Sequence, residues 1–229
     1  SSTEWTIGFN SRGTSDSYLL AAYADFTHGA AYVDVLGGYA WNVNQMTRQM
    51  MLPTLGSRMA KATTGATQWF GQAELGYRID LDRTTTSAVS PFARFEAATV
   101  SQAGFTEWGA NALNLSVAGQ ATSSLRSVLG AELSGAYRLG WQSPLDFKVR
   151  VGWAHDYADM SRPVTAAFAA APAFGFTVYG AAPPRDSATV GIGLSTLLDE
   201  RYTLFLRYDG DIAGGADSHA LNAGIRFRW

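Results

Sequence analysis

The chain ends His219-Ala-Leu-Asn-Ala-Gly-Ile-Arg-Phe-Arg-Trp229, and this stretch decides how the rest is read. Leu221, Ala223, Ile225, Phe227 and Trp229 alternate with Ala220, Asn222, Gly224, Arg226 and Arg228. Successive side chains of a strand point to opposite faces, so each set shares one face. The first face is apolar and finishes in two aromatics. The second carries two arginines and must meet water or anions. Chain ends of soluble domains tend to fray, whereas a terminal aromatic suits an interfacial anchor of a membrane-crossing sheet. Taken alone, the strand also fits an amphipathic edge of an ordinary antiparallel sheet. The remainder of the chain has to decide.

Composition narrows the choice. A length of 229 residues suits one domain, residues 1–229. With no cysteine there is no disulfide framework, thiolate metal site or cysteine nucleophile. A net charge of -2 without a basic block argues against nucleic acid as a partner. Glycine and aromatics are plentiful, lysine is confined to Lys61 and Lys148, and no apolar run is long enough for a membrane helix. The stretch from Ala166 to Ala182 comes nearest, but Pro172, Gly175 and Gly180 break it. Balanced hydropathy with many alternating segments is the composition of a transmembrane barrel.

About ten strands follow in order. Trp5, Ile7 and Phe9 open the first, and Asn10 to Ser17 read as a turn. Leu19, Ala21 and Tyr23 share a face of the second, which runs to Phe26. The third turns Val33, Val35, Gly37, Tyr39 and Trp41 outward and Asp34 inward, then leads into a long excursion through Met46, Met50, Pro53 and Lys61. Trp69 to Ile79 and Ala93 to Ala97 form the fourth and fifth, and a second excursion covers Thr99 to Ser124. Arg126 to Leu139 and Phe147 to Trp153 form the sixth and seventh, followed by a third excursion from Ala158 to Asp186. Val190 to Ser195, Tyr202 to Asp209 and the terminal strand complete the set, with Phe205 turned inward against the alternation.

Two regularities favour a membrane barrel over a soluble sandwich. Connections at Gly29, Asp80, Gly140 and Asp199 are short, and those between them are mostly longer, which is the outer-membrane layout with the long set extracellular. The polar face of nearly every strand also carries charge. A sandwich interior would have to bury those groups at heavy cost, whereas a water-filled lumen accepts them. The expected fold is all-β, an antiparallel up-and-down transmembrane β-barrel. Its lumen set is Glu74, Arg78, Arg94, Glu96, Arg126, Glu132, Arg138, Lys148, Arg150, Arg207, Asp209, Arg226 and Arg228. Mixed signs hydrate a passage or hold a segment in transit, and without a ring of one sign they do not indicate ion selectivity.

The terminal spacing of Asn222, Gly224, Phe227 and Trp229 resembles the C-terminal signal by which outer-membrane barrels are recognised for assembly. The chain as a whole resembles the C-terminal translocator domain of autotransporters, the type V secretion barrels. The resemblance rests on Ser90-Pro-Phe-Ala-Arg-Phe95, Gly104-Phe-Thr-Glu-Trp-Gly109, Leu113-Asn-Leu-Ser116 and Ser124 to Gly135. Phe168 to Gly180, Arg185-Asp186, Val190-Gly-Ile-Gly193 and Leu206-Arg-Tyr-Asp-Gly210 continue it. It implies a barrel in the outer membrane of a Gram-negative bacterium that anchors and exports an N-terminal passenger. Its implied partners are outer-membrane lipid, the barrel-assembly machinery and the passenger, and it implies no cofactor. The family barrel has twelve strands preceded by a lumen helix. With about ten strands starting at Trp5, the expectation is that two strands and the helix are encoded upstream.

Two other functions stay open at this level, a rim-active barrel hydrolase and a plain diffusion pore. His155-Asp156 and Asp217-Ser218-His219 would lie at the extracellular rim near Asp209 and Asp211. An Asp-His pair can activate water, but adjacency in sequence is not convergence in space, and polar loop ends wetted by solvent explain the same residues. No catalytic residue or metal ligand is assigned. Glu107 beside Trp108 either folds inward to fix the second long loop or faces solvent.

Overall fold

The fold was obtained as a computed structural model describing residues 1–7, 11–52, 56–81, 86–138, 143–159, 161–180, 182, 184–199 and 201–227. Its strands are β1 Ser2–Ile7, β2 Ser11–His28, β3 Ala31–Leu52, β4 Gly56–Tyr77, β5 Ile79–Asp80, β6 Ala88–Gln102, β7 Phe105–Thr106 and β8 Leu115–Val117. They continue as β9 Gln120–Tyr137, β10 Leu145–Asp156, β11 Pro163–Phe168, β12 Gly175–Tyr179, β13 Asp186–Asp199, β14 Tyr202–Ile212 and β15 Ser218–Phe227. One antiparallel sheet follows the order β1-β2-β3-β4-β6-β9-β10-β13-β14-β15, with β5 beside β6. Ten strands lie on that path, as the alternation predicts. No helix of the described residues is long and apolar enough to cross a membrane.

Register explains why the sheet has two unlike faces. Residues directly opposite on neighbouring strands share a face. The row Phe26, Val33, Leu75, Ala93, Leu129, Trp153, Ala188 and Ile212 crosses eight strands and is apolar throughout. One residue along, the row Asp25, Asp34, Glu74, Arg94, Val128, Ala154 and Ser187 lies on the other face and begins with four charges. Aromatics rim the apolar face at two heights. Tyr18 stacks on Trp41 at 5.4 Å and Tyr39 meets Trp69 at 4.5 Å. At the short-turn end, Tyr202 meets Phe227 at 5.2 Å. Trp69 and Tyr77 are eight residues apart on β4, about 26 Å along the strand and about 20 Å in height at a tilt near 40°. That approaches the apolar band of about 25 Å expected of an outer-membrane barrel.

The sheet is tall on one side. β3 and β4 each have 22 residues, whereas β15 has 10, and a membrane crossing takes about 9–11. The first expected excursion, Met46 to Lys61, is therefore strand, with only residues 53–55 between β3 and β4 outside the description. Above Trp41 and Trp69 the outer positions become mixed, with Gln45, Thr47, Gln49, Lys61, Thr63 and Thr67 interspersed with Val43, Met51 and Met59. The backbone period of two persists while the outer face loses its regular apolar pattern, so the stretch resembles a loop in sequence. The expected turn from Asn10 to Ser17 is likewise strand from Ser11 onward, with Asn10 outside the described residues.

The other two excursions are only partly loop. β6 runs to Gln102 and β9 begins at Gln120, and between them residues 103–119 carry β7, a 3-10 turn at Asn111–Leu113 and β8. The connection from β10 to β13 folds into the β11–β12 hairpin. These pieces form a separate sheet in the order β12-β11-β8-β7.

The expected first strand differs most. β1 pairs with Ser11–Asp16, and Ser1 exchanges backbone bonds with Ser17 at 2.8 Å, so β1 lies beside the upper part of β2 only. Among the described residues, Tyr18–His28 pair with β3 alone, and β15 pairs with β14 alone. The curled sheet is open between these two edges, and the Trp5 strand does not meet the final strand.

Candidate functional site

The concave face holds a network centred on Glu74. Its side chain is only 4% exposed. One carboxylate oxygen accepts from the Tyr32 hydroxyl at 2.9 Å and from Arg150 at 2.8 Å, and the other accepts from Arg94 and Arg150, both at 2.7 Å. Arg94 faces Glu74 across the β4–β6 ladder, but Arg150 reaches from β10 past β9 and β6. Strands lie about 4.8 Å apart, so three steps along a flat sheet would separate the two backbones by about 14 Å. Curling brings the side chains together. Arg150 also lies over the Phe92 ring, 4.1 Å from its centroid.

The network continues in both directions along the wall. Arg94 reaches Glu96 at 3.2 Å, Glu96 faces Arg126 at 3.9 Å, and Arg126 pairs with Asp211 and donates to Ser187 at 2.9 Å. Glu132 takes Lys148 and Arg150, both at 3.7 Å, and Arg207 pairs with Asp209 at 2.7 Å on its own strand. Arg78 pairs with Asp80 in exposed positions near the short-turn end. Arg226 stacks over Phe205 at 5.9 Å. Arg138 follows the last residue of β9 and has no ladder partner among the described residues. Arg228 and Trp229 lie outside the described residues. A cavity of about 490 Å³ lies against Glu96, Arg126 and Asp211, and another of about 600 Å³ against Glu132, Lys148, Arg207 and Arg226.

One end of the inner face is apolar. Because Tyr18 pairs with Trp41 and Leu20 with Tyr39, the intervening Leu19, Ala21 and Tyr23 face inward. Leu36 and Phe70 share that face, and Tyr23 is 81% exposed. Inward aromatics elsewhere lie over glycines. A Cβ on Gly38 would approach Phe70 to 2.3 Å, one on Gly130 would approach Phe92 to 2.7 Å, and one on Gly224 would approach Phe205 to 2.8 Å. The glycine of the terminal motif is thus the seat of the Phe205 ring. This also accounts for Phe205 pointing inward, since it caps the open surface that Gly224 leaves.

Sequence reasoning missed Tyr32, Asp211 and Arg48 as members of these networks. Tyr32 and Asp34 share strand parity, which marks Tyr32 as inward-facing. Arg48 sits in the stretch read as an excursion and was hidden with it. Arg48 donates to Glu107 at 3.0 and 2.6 Å, and Glu107 also accepts the Leu115 N–H at 2.8 Å. Of the two readings left open for Glu107, the inward one describes its geometry, with its side chain 10% exposed.

The histidines do not converge. His155 meets Asp186 at 2.8 Å between Trp153 and Tyr157, whereas His219 meets the Tyr208 hydroxyl at 2.8 Å on a different strand pair. Asp156 is bonded to Ser124 and the Ala158 N–H instead. No group of three or more His, Asp or Glu side chains suited to a metal ion occurs among the described residues.

Residues 1–209 match the family model described as the autotransporter beta-domain. The chain is 30% identical over 193 residues to the esterase EstA of Pseudomonas aeruginosa, covering 82% of this chain and 29% of that protein. It is 26% identical over 226 residues to an extracellular serine protease of Serratia marcescens, covering 97% of this chain and 21% of that protein. It therefore spans less than a third of the length of these curated relatives. The translocator domain of autotransporter NalP from Neisseria meningitidis superposes with a TM-score of 0.71 at 16% identity, covering 96% of this chain and 69% of that one, a likeness of fold. An apolar belt outside, a charged network inside and a family match over most of the length lead to one assignment: the chain belongs to the autotransporter beta-domain family.

Proposed function

We propose that this translocator barrel anchors a passenger region of its own polypeptide in the outer membrane of a Gram-negative bacterium and carries it to the cell surface. The observation that carries the reading is the pair of opposed rows through Phe26 and Asp25, one made for lipid and the other for water. The work is physical: the wall anchors, and the charged lumen wets and guides a segment in transit. The esterase and protease names belong to the relatives, and their chains are several times longer than this one. The separate partners of His155 and His219 give no support to a rim hydrolase.

Closure belongs to the same proposal. An unpaired strand edge in hydrocarbon leaves each N–H and C=O unsatisfied at several kcal/mol apiece. Continuation of the β1 ladder along the free part of β2, two further strands between it and β15, and a helix in the lumen would complete the twelve-strand architecture expected from the family resemblance. Asn222, Gly224, Phe227 and Trp229 would serve the assembly machinery as its recognition signal.

The test is surface display. The full-length gene product is expressed in a Gram-negative host and the passenger is probed with external protease. Deleting residues 1–229 should leave the passenger protected inside the cell. A passenger that reaches the surface without them would refute the proposal. Hydrolysis by the purified barrel would favour the rim enzyme, and large steady conductance with no passenger encoded would favour the pore.

A further inference from the structure

We propose that the outward face of the tall β1–β4 sheet binds the phosphorylated saccharide core of the surrounding lipopolysaccharide, an inference that rests on the outer-membrane location proposed above. β3 and β4 continue well past the aromatic rim. Lys61 stands eight residues above Trp69 on β4, about 26 Å along the strand and about 20 Å in height at a tilt near 40°. At that height, on the side of the long connections, the wall has left the acyl chains and headgroups behind. It meets the sugars attached to them.

One row at this level crosses the whole sheet. Thr6 pairs with Arg12, Arg12 with Thr47 and Thr47 with Lys61, and Lys61 is bridged to Trp108 of the second loop. The row shares strand parity with Tyr18, Trp41 and Trp69, so these side chains point away from the lumen. Burial separates the two faces in the same way. Gly13, Ala60 and Ala62 are covered, whereas Arg12 and Lys61 beside them are exposed.

Arg12 and Lys61 are two strand steps apart, about 10 Å between backbones, with Thr47 between them. Neither has an ion-pair partner among the described residues. Both long side chains reach an anion seated over Thr47, Arg12 through two parallel N–H donors and Lys61 as a point charge. The Lys61 ammonium lies 5.2 Å from the centroid of the Trp108 ring, which is 59% exposed. Sugar rings present C–H bonds whose slight positive charge suits the negative face of an indole. Gln45 and Thr63 flank the row with amide and hydroxyl groups that match sugar hydroxyls. Nearer the membrane the same face carries Glu4 and Asp16 instead of cations. A headgroup phosphate would meet those carboxylates, so the favoured anion is a phosphate higher up, in the core. A protein partner calls for an apolar centre, and the centre of this face is Arg12, Thr47 and Lys61. Membrane-anchored saccharides crowd the wall at high effective concentration, so modest affinity for each suffices.

The test titrates the full-length protein in detergent with soluble saccharides, followed by calorimetry. The first is deacylated lipopolysaccharide with its core phosphates, and the second is the same saccharide stripped of phosphate. The third is the deacylated, phosphorylated headgroup disaccharide without a core. The first should bind about tenfold or more tightly than the other two. Arg12→Gln and Lys61→Gln should each weaken it about tenfold, the scale of one charge-assisted hydrogen bond, and should leave the phosphate-free saccharide unaffected. Trp108→Leu should weaken both core saccharides alike. Heat-modifiable migration and the amount of passenger displayed should match the wild type in every variant. Equal binding by the wild type and the Arg12→Gln, Lys61→Gln double variant would overturn the inference. So would a headgroup disaccharide that binds as tightly as the full saccharide, or a dimer that the two substitutions dissolve. A passenger that reaches the surface without residues 1–229 strikes the proposed function alone, since saccharide binding is measured without export.

Discussion

Arg150 on β10 donates to both carboxylate oxygens of Glu74 on β4, at 2.8 and 2.7 Å, across two intervening strands. Those two strands, β6 and β9, meet the same network through Arg94 and Glu132. The pair is therefore a brace across the curl of the sheet as well as a local ion pair. Removing one member of a buried pair leaves the other charge uncompensated and costs about 3–5 kcal/mol. Arg94 and Arg150 keep partial access to water, so about 2–3 kcal/mol is the expected scale here. Glu74→Gln should lower the urea midpoint of the folded barrel in detergent accordingly. Adding Arg150→Met should recover part of that loss. If the double variant is as weak as the sum of the singles, the brace is not a coupled unit.

The two faces give opposite responses to charge. Leu206 is exposed on the belt side, and its neighbour Arg207 lies inward, paired with Asp209. An arginine facing mid-membrane lipid costs about 2–4 kcal/mol, whereas an exposed ion pair contributes about 0–1 kcal/mol. Leu206→Arg should therefore destabilise the barrel far more than Arg207→Leu, measured by unfolding in lipid vesicles. The reverse order would mean that the faces are inverted.

How much of this was legible depended on the face that carried the signal. Where the outer face is apolar, as at Phe147, Val149 and Val151, alternation alone located strands and their inward partners. Above Trp41 and Trp69 the outer face mixes Thr, Gln and Lys with Val43, Met51 and Met59, so no regular alternation marks the tall β3–β4 hairpin or Arg48 within it. β7 and β8 are only two and three residues long, too short for periodicity to register. Leu19, Ala21 and Tyr23 show a different limit: their alternation is plain, but only the pairing of Tyr18 with Trp41 shows which way they point. The span between Glu74 and Arg150 has no local pattern at all, because curling rather than sequence separation brings the two together.

Phe205 over Gly224 predicts a coupled pair. Gly224→Ala would place a Cβ 2.8 Å from the ring and force it to move, at about 1–2 kcal/mol for overpacking. Shortening the ring by Phe205→Leu should cancel most of that penalty, so a double-mutant cycle should show coupling above about 0.5 kcal/mol. Independent effects would mean that Gly224 serves assembly by another route. Deleting Trp229 should act differently, lowering the yield of heat-modifiable barrel in outer membranes without a matching change in stability of what does fold.

Arg48 and Glu107 fasten the second loop to the tall hairpin. The pair is bidentate, and beside it Lys61 of the hairpin and Trp108 of the loop exchange backbone bonds at 2.8 and 2.9 Å. Hydrogen bonds to charged groups contribute about 1.5–3 kcal/mol. Glu107→Gln should accordingly speed limited proteolysis within residues 103–119, while cutting near the short turns stays constant. Unchanged cleavage in the loop would show that the Lys61–Trp108 backbone bonds hold it without the ion pair.

The open edge of β2 sets the last expectation. Tyr18–His28 lie between the aromatic rims, yet β3 is their one partner among the described residues. In lipid such an edge cannot persist, since every unmatched amide costs several kcal/mol. If further strands of the natural protein close the sheet, amides of this segment should exchange slowly in the full-length protein within vesicles. In residues 1–229 alone, held in detergent where water reaches the edge, alternate amides from Tyr18 to His28 should exchange orders of magnitude faster. Those amides are the ones pointing away from β3, and their neighbours bonded to β3 should stay protected in both. Equal protection in both preparations would mean that β15 swings over to pair with β2, closing a ten-strand ring without additional strands.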